Sequence, residues 1–362
     1  MASLSQLGNS LYRGDVSYNI VGRRKAWYLV SAILIVLSLA TLGVRGLNLG
    51  IEFKGGAEFS VPLAVANDES VTQARETVLA TGEVPSTVTI IGGDTVRIQT
   101  PALSTEASNA LSAALAQSFA IEEANIKVQL VGPSWGDEVT KNALRALLVF
   151  LVLVAVFLSL YFEWQMAVAA LAALAHDVLI TVGIYALSGF EVSPASVIGF
   201  LTILGYSLYD TVVVFDKVKE NTHGIHGGSR TTYSEAANLA LNQTLVRSIN
   251  TSVVALLPVL SILVVGVSLL GAGTLNDLAL ALFVGTAVGT YSSIFIATPM
   301  LCQMKERTAE NIALAKRVSA RRKGGDAASD IKLEVAVGAP IVSSAGPRQQ
   351  RVKKTRSNRS GK

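Results

Sequence analysis

The sequence predicts an α-helical membrane protein with six transmembrane helices and one α+β domain outside the membrane. Apolar residues make up 51% of the 362 residues and charged residues only 15%, whereas soluble globular proteins carry about 25% charged residues. The apolar residues are concentrated in six runs near the roughly 20 residues needed to cross a bilayer core. The one long polar stretch between two runs, residues 46–142, is large enough to fold as a domain.

The apolar runs set the predicted division of the chain. The predicted spans cover about residues 27–44, 146–162, 166–187, 197–215, 250–270 and 278–301. The predicted regions are an N-terminal segment 1–25, a first helix 26–45, the α+β domain 46–142, five helices within 143–302 with a loop at about 216–247, and a tail 303–362. No small-residue cleavage site follows the first run, so this helix is predicted to remain as an anchor.

Basic residues predict which side of the membrane each segment occupies. They cluster at Arg23–Lys25, in the segment Lys217–Arg247 and from Gln303 onward, where fifteen Lys and Arg accompany only five Asp and Glu. The short connections on the opposite side, Ser188–Ala195 and Gly271–Asp277, carry no Lys or Arg. Because basic loops remain on the inner side, both termini are predicted to be cytoplasmic and the α+β domain extracytoplasmic.

The polar stretch contains alternating and amphipathic segments in a readable order. Gly92-Gly93-Asp94 joins two strand-like segments and is typical of a hairpin. The predicted elements are a strand at Ala57–Val65, a helix at Val71–Thr81, strands at Thr87–Ile91 and Thr95–Thr100, a helix at Ser104–Ser118 capped by Ser104, and a strand at Ile126–Val131. The order β-α-β-β-α-β predicts a ferredoxin-like arrangement, which by itself indicates no function.

The composition argues against several kinds of site. Cys302 is the only cysteine, so neither an intrachain disulfide nor a cysteine-based metal site is predicted. Gly55-Gly56 lacks the rest of a phosphate-binding loop, so no nucleotide site is predicted. The basic excess belongs to the tail, which favours contact with anionic lipid or ribosomal RNA over a specific nucleic-acid-binding core. From about Ser319 the tail loses its apolar periodicity and is predicted to be largely disordered.

Ionisable residues inside the apolar runs are the candidate functional residues. A carboxylate at the bilayer centre costs about 2.5–3.5 kcal/mol on insertion scales, so such groups usually face the protein interior and have a role. Asp210 lies in the fourth run, and Arg247 precedes the fifth at the same depth. If the two pair, protonation of Asp210 leaves Arg247 uncompensated and favours another helix arrangement. The alternatives are a static packing pair and, for Arg247, an anchor at the membrane interface.

Other candidates flank this predicted pair. His176 and Asp177 point about 100° apart on a helix, so they are predicted not to face one site; Asp177 is the predicted inward group, and His176 is either a packing residue or a proton carrier. For the remaining polar candidates, helix-to-helix hydrogen bonding and a functional role are equal alternatives, and for the small candidates a packing role is favoured. They are Asn242, Gln243 and Thr244 at the start of the fifth span and Gly285 and Gly289 in the sixth.

These residues lie in motifs that, in order, resemble those of the SecF family of bacterial protein-export proteins. The motifs are Leu49–Gly56, Val131–Ser134, Ala175–Asp177, Gly205–Asp210 continued by Phe215–Asn221, and Asn242–Ser248. The resemblance carries motif roles to Glu52, Gly55, Gly56, Gly205, Tyr206, Ser207, Asn242, Gln243 and Thr244, and proton-path roles to Asp210 and Arg247. Glu52 departs from the Asp that is usual in the family, and Tyr209 from the Asn that is common there.

The resemblance implies half of a twelve-helix, RND-type unit formed with SecD in the bacterial plasma membrane. It implies a non-enzymatic subunit that uses the proton motive force to promote preprotein translocation, with protons as the coupling ion and no other cofactor. The implied partners are SecD, the SecY–SecE–SecG channel, the SecA ATPase, unfolded preprotein and membrane lipids, with a YidC-type insertase and YajC as further candidates. The alternatives are an RND-type exporter of small molecules or lipids and a purely structural assembly factor.

Overall fold

The computed structural model describes residues 10, 11, 13, 16–265 and 273–323. It confirms six long apolar helices and one α+β domain. The helices are α1 (Arg24–Arg45), α2 (Ile51–Lys54), α3 (Asp68–Ala80), α4 (Thr105–Phe119), α5 (Pro133–Tyr161), α6 (Trp164–Ser188), α7 (Pro194–Thr222), α8 (Tyr233–Val265), α9 (Gly273–Ser292), α10 (Thr298–Lys305) and α11 (Ala309–Lys323). The strands are β1 (Asn48–Leu49), β2 (Gly56–Pro62), β3 (Thr87–Ile91), β4 (Thr95–Thr100), β5 (Lys127–Val131) and β6 (Glu191–Val192).

The six spanning helices are α1, α5, α6, α7, α8 and the pair α9–α10, which a π-helical turn at Ser293–Ala297 joins into one span. In the most apolar window of α6, 56% of the residues are buried, against 11% in each of α1, α5 and α8. Helix α6 is therefore central, and the other three present apolar faces outward. Below, the end of the bundle that carries the α+β domain is called the domain end and the opposite end the tail end.

Several helices extend beyond the predicted spans. Helix α5 begins at Pro133, which occupies the first turn, a position that suits proline because its missing N–H has no partner there. Helix α7 continues to Thr222 and α8 begins at Tyr233, so the predicted loop at 216–247 is wrong and only residues 223–232 connect the two helices. An apolar run marks the lipid-crossing part of a helix, whereas hydrogen bonding continues the helix into polar sequence.

The α+β domain has the predicted ferredoxin-like topology. Its sheet has the order β3-β4-β2-β5, and all three strand pairs are antiparallel. The bounds of β3 and β4 match the prediction, and Ser104 caps α4 by accepting a hydrogen bond from the N–H of Ala107 at 3.2 Å. Helices α3 and α4 cover one face of the sheet. The side chains in this core include Phe59, Val61, Val78, Ile98, Leu111 and Leu115.

Small residues allow the spanning helices to approach closely. A Cβ on Gly183 of α6 would lie 2.1 Å from Ser38 Cβ of α1, and one on Gly285 of α9 would lie 2.2 Å from Ile203 Cδ1 of α7. Gly289 has a similar role against Ser207. Without a hydrophobic driving force between helices in lipid, such close backbone packing is a main source of association. The packing interpretation of the two α9 glycines agrees with these contacts.

The tail begins with a folded segment. Helix α11 places Leu314 and Val318 against the protein with at most 1% exposure, and Arg322 pairs with Glu235 of α8. The prediction of disorder from about Ser319 is therefore wrong up to Lys323. Helix α11 has few apolar residues and many basic ones. Its sequence therefore shows no clear hydrophobic periodicity. Residues 324–362 lie outside the described residues.

Candidate functional site

Asp210 is a buried carboxyl group between α7 and α8. Its side chain is 5% exposed, and Oδ1 accepts a hydrogen bond of 2.7 Å from the Ser248 hydroxyl of α8. Oδ2 is buried and has no hydrogen-bond partner among the described residues. Because α7 continues to Thr222, Asp210 lies well inside the helix rather than near its inner end. An unsatisfied carboxylate oxygen at this depth disfavours the charged form.

Arg247 lies beside this group without pairing with it. Its guanidinium donates to the Tyr209 hydroxyl at 3.2 Å and is exposed. In the described part of the chain, no ion pair within 4 Å joins Arg247 to Asp210. Ser248, the next residue along α8, occupies the position that the sequence analysis considered for Arg247. The two residues therefore share one region of the α7–α8 interface but are not in contact in this conformation.

His176 and Asp177 form a second buried polar site, on α6. His176 Nδ1 lies 3.1 Å from Asp177 Oδ1, and its Nε2 lies 3.1 Å from the Ser31 hydroxyl of α1. Asp177 Oδ2 accepts a hydrogen bond of 2.5 Å from the Ser207 hydroxyl of α7. The prediction that the two residues do not face one site is wrong, because their side chains turn toward each other across the 100° between successive positions.

Hydroxyl groups connect the surroundings of the two carboxyl groups. The Thr211 hydroxyl, next to Asp210, donates to the Ser293 hydroxyl at 3.1 Å, and Ser293 contacts the Ser207 carbonyl at 3.4 Å. Ser293 begins the π-helical turn, a distortion that is frequent at functional sites. Asp177, Ser207, Ser293 and Asp210 therefore lie in one polar region that crosses three helices.

Three of these hydroxyl groups are not recognisable from the sequence. Ser31, Ser248 and Ser293 are each at most 5% exposed, but a serine in an apolar run carries little information. Its hydroxyl commonly bonds to the carbonyl one turn earlier in its own helix, as Ser293 does with Gly289. A carboxylate has no such local partner. The sequence therefore indicated Asp210 and Asp177, whereas the hydroxyl groups that hold them became apparent only from the packing.

Polar residues in the third turn of α8 hold other segments in place. Asn242 is 1% exposed; its Oδ1 accepts from the Tyr18 N–H at 2.7 Å and its amide donates to the Tyr18 carbonyl. Gln243 accepts from the Asn221 side chain at 2.9 Å, and Thr244 bonds to the carbonyl of Ala240. These contacts favour the packing interpretation and tie the segment before α1 to α8.

The motif residues Gly205, Tyr206 and Ser207 of α7 differ in whether they contact the site. Ser207 holds Asp177, and the Tyr206 hydroxyl donates to Ser252 of α8 at 3.3 Å. Around Gly205, however, a Cβ would meet nothing within 4 Å. Close packing therefore does not account for a glycine at this position, and no other feature of the structure accounts for it.

Comparisons with known proteins are consistent with this arrangement. The family model described as "Protein export membrane protein SecD/SecF, C-terminal" matches residues 111–307, and the "SecD/SecF GG Motif" matches residues 40–64. A Protein translocase subunit SecF from Streptomyces coelicolor is 49% identical over 90% of this chain and 87% of its own length. The chain belongs to the SecD/SecF protein-export family. A SecF subunit from Mycobacterium leprae is 45% identical over 87% of this chain and 70% of its own length.

A solved structure from the SecD/SecF family resembles this chain. The crystal structure of SecDF, a translocon-associated membrane protein from Thermus thermophilus, superposes with a TM-score of 0.71 at 32% identity. It covers 81% of this chain, and this chain spans only 39% of the SecDF chain. With six apolar helices and SecF relatives, the protein is a multi-pass membrane protein.

The match to the SecD/SecF GG motif coincides with a sharp change of chain direction between α1 and the α+β domain. Gly55 has φ +77° and Gly56 φ +155°, conformations that only glycine adopts readily. A Cβ on Gly55 would lie 2.9 Å from Pro133 Cα, and one on Gly56 2.6 Å from the Thr100 carbonyl oxygen. The two glycines therefore let the chain pass between the start of α5 and the last residue of β4.

The buried carboxyl group of Glu52, in the same motif, is expected to make the stability of the protein depend on pH. Burial raises the pKa of its carboxyl above the ordinary 4.5; hydrogen bonding to its own backbone lowers it, Glu191 and Glu58 raise it, and Arg97 lowers it, with a net upward shift. The folded state therefore binds this proton more tightly than the unfolded state. The stabilisation is complete below about pH 4.5 and is lost as the pH rises through the raised pKa.

A Glu52→Gln variant, which stays neutral, is expected to unfold at a higher temperature than the native chain at neutral pH and to show a flatter pH dependence. Thermal unfolding of the detergent-solubilised protein between about pH 4.5 and 8 measures this difference. Glu69→Gln, at an exposed position on α3, is the matched control. Parallel curves for the native chain and the Glu52 variant would contradict the prediction.

Proposed function

We propose that this chain acts with a SecD partner to couple inward proton movement to the export of unfolded preproteins across the bacterial plasma membrane. The observation that carries the proposal is Asp210, a buried carboxyl group with one unsatisfied oxygen at a helix interface. A group of this kind changes its interactions most when it gains or loses a proton, because a charge at bilayer depth is costly. The relatives are named as SecF subunits of the protein translocase, which favours a role in protein export over the export of small molecules.

The switch consists of an exchange of partners at Asp210. In the present conformation Ser248 donates to the carboxyl group and Arg247 bonds to Tyr209. Successive residues on a helix point 100° apart, so a rotation of α8 relative to α7 replaces the Ser248 hydroxyl with the Arg247 guanidinium. The charged carboxylate favours the guanidinium and the protonated form favours the hydroxyl. Protonation from one side and release to the other then drive the rotation in one direction.

Asp177 and His176 serve as accessory proton-path groups in this proposal. Their connection to Ser207 and Ser293 gives a proton successive polar groups between α6 and α7. Protons are the only coupling species proposed. The domain end is extracytoplasmic, and both termini are cytoplasmic, as the distribution of basic residues indicates. The SecDF name of the structural relative supports SecD as the direct partner. We further assign the SecY–SecE–SecG channel and SecA as the machinery served.

A gradient-dependence assay tests the proposed function. Inverted membrane vesicles that contain the chain with SecD, SecA and the channel are compared with vesicles lacking the chain, with and without a protonophore. We expect the chain to increase the amount of translocated preprotein only while the proton gradient is maintained. An increase that survives the protonophore would overturn proton coupling and favour an assembly role. The same vesicles are also measured with a sodium ionophore. A stimulation of export that depends on a sodium gradient would likewise contradict the proposal.

A further inference from the structure

Glu191 is a buried charged residue in the connection that leads into α7. It is 7% exposed, yet it comes from a short strand outside the spanning helices. Its Oε2 lies 2.7 Å from Arg97 Nη2, and its Oε1 accepts a hydrogen bond of 2.9 Å from the Gln99 side chain. Both carboxylate oxygens are therefore held by groups of the α+β domain.

The two residues that hold Glu191 belong to one face of the domain sheet. Arg97 and Gln99 are two residues apart on β4, so they point to the same side. Gln99 also donates to Glu58 of β2 at 3.1 Å, and Arg97 Nη1 lies 4.0 Å from the same Glu58 oxygen. One guanidinium and one amide therefore connect two strands of the sheet to the bundle. The face opposite the two domain helices is the one that contacts the connection leading into α7.

Glu191 is connected to Asp210 through a continuous helix. Its carbonyl accepts from the Ser196 hydroxyl at 3.3 Å, and Ser193 and Ser196 form the reciprocal cap of α7. From Pro194 to Asp210 the helix is uninterrupted and extends roughly 24 Å at 1.5 Å per residue. Helix α7 therefore forms a continuous connection between Asp210 and the segment that carries Glu191.

A second contact keeps this connection in register. Strand β6 pairs in parallel with β1, with Asn48 opposite Glu191, and the Gly50 N–H donates to the Val192 carbonyl at 2.9 Å. A Cβ on Gly50 would lie 2.6 Å from Glu52 Oε2 and 2.7 Å from Glu191 Oε1, so a larger residue here would displace the ends of these two side chains. The connection before α7 is thus held both by the chain leaving α1 and by the domain sheet.

We propose that Arg97 and Glu191 are a pair of positioning residues that transmit the movement of α7 to the α+β domain; we call this pair the strut. The domain is joined covalently to α1 and α5 but not to α7, so the helix that carries Asp210 moves the domain through noncovalent contacts. A buried ion pair is suited to this task, because separating it leaves an uncompensated charge in each partner. The strut rests on the proposed function and extends it to the coupling between helix and domain.

Spin labels test the strut in the full chain assembled with SecD. Cysteines replace Glu76 on α3 and Lys141 on α5, both exposed, in a Cys302→Ser background. We expect Asp210→Asn, which imitates the protonated state, to shift the distance distribution between the labels. Adding Arg97→Met is expected to abolish this shift.

In label-free chains with Asp210 intact, Arg97→Met is expected to reduce the ratio of export with the gradient to export without it toward one. Arg75→Met, which removes an exposed charge from the same domain, is the matched control and is expected to leave both readouts unchanged.

A charge exchange guards against a simple folding defect. The double variant Arg97→Glu with Glu191→Arg retains opposite charges and is expected to recover the domain shift and at least half of the native gradient ratio. An Arg97→Met chain that keeps the shift and the ratio would overturn the strut while leaving the proposed function intact, as would a folded charge-exchanged chain without the shift. Export by the native chain that ignores the gradient would overturn the proposed function and the strut together.

Discussion

An Asp210→Asn variant is expected to lose the gradient-dependent part of export, by at least about tenfold, which corresponds to roughly 1.4 kcal/mol of lost coupling. Asparagine is nearly isosteric with the protonated carboxyl and keeps an oxygen that accepts from Ser248. The helix interface is therefore expected to stay folded. What disappears is the charged state, and with it the attraction that would bring Arg247 to this position. Export in inverted vesicles, with and without a protonophore, measures the loss.

Asp216→Asn provides the control on the same helix. Asp216 lies six residues further along α7 and is exposed, so removal of its charge is expected to leave gradient-dependent export near the native level. Full activity of Asp210→Asn would show that this carboxyl does not titrate during the cycle. The role of the chain would then be structural, with Asp210 and Ser248 fixing the packing of α7 against α8.

A Gly285→Ala variant is expected to lower the free energy of unfolding by about 1–3 kcal/mol, the usual cost of overpacking. The new methyl group would overlap Ile203, whose Cδ1 and Cγ2 lie 2.2 and 2.5 Å from its position. Helices α7 and α9 must then separate, which also disturbs the region around Ser207. The midpoint of thermal or denaturant unfolding in detergent micelles reports the destabilisation.

Two further variants identify the cause. Adding Ile203→Ala to Gly285→Ala removes the overlapping atoms, so the double variant is expected to be more stable than the sum of the single effects, as for residues in contact. Gly205→Ala is the matched control, because a Cβ there meets nothing within 4 Å and alanine is the better helix former. An equal loss of stability for Gly205→Ala and Gly285→Ala would contradict a steric origin.

The strut and the proton site together give the protein a consistent mechanical layout. Asp210 lies between α7 and α8, and the domain-end connection of α7 is held by Arg97 and Gln99. Movement of one helix therefore reaches the α+β domain without passing through a flexible loop. The apolar faces of α1, α5 and α8, of which little is buried within this chain, leave surface for the proposed SecD partner and for lipid.

The sequence predicted well wherever a local or strongly periodic property determines structure. The spans follow from the length of apolar sequence needed in a bilayer, and β3 and β4 follow from alternation around a glycine turn. Ser104 was recognisable as a cap because the first N–H groups of a helix need a local acceptor. The first residues of α5 and α8, Pro133 and Tyr233, were not predicted, because hydropathy reports lipid contact rather than helical hydrogen bonding.

Three features follow from the sequence alone: the chain crosses the membrane six times, an α+β domain follows the first helix, and Asp210 needs a protein environment. The spans and the environment of Asp210 follow from the cost of placing polar groups in lipid, and the domain follows from the length and the alternating pattern of its polar stretch. The packed structure was needed to show that Ser248 rather than Arg247 contacts Asp210, that His176 bonds to Asp177, and that Arg97 holds Glu191. The contacts of Asp210 and Glu191 join residues 38 and 94 positions apart in the sequence, so they depend on how the helices and the sheet pack. His176 and Asp177 are adjacent, but the directions of their side chains on the helix are not set by sequence position alone.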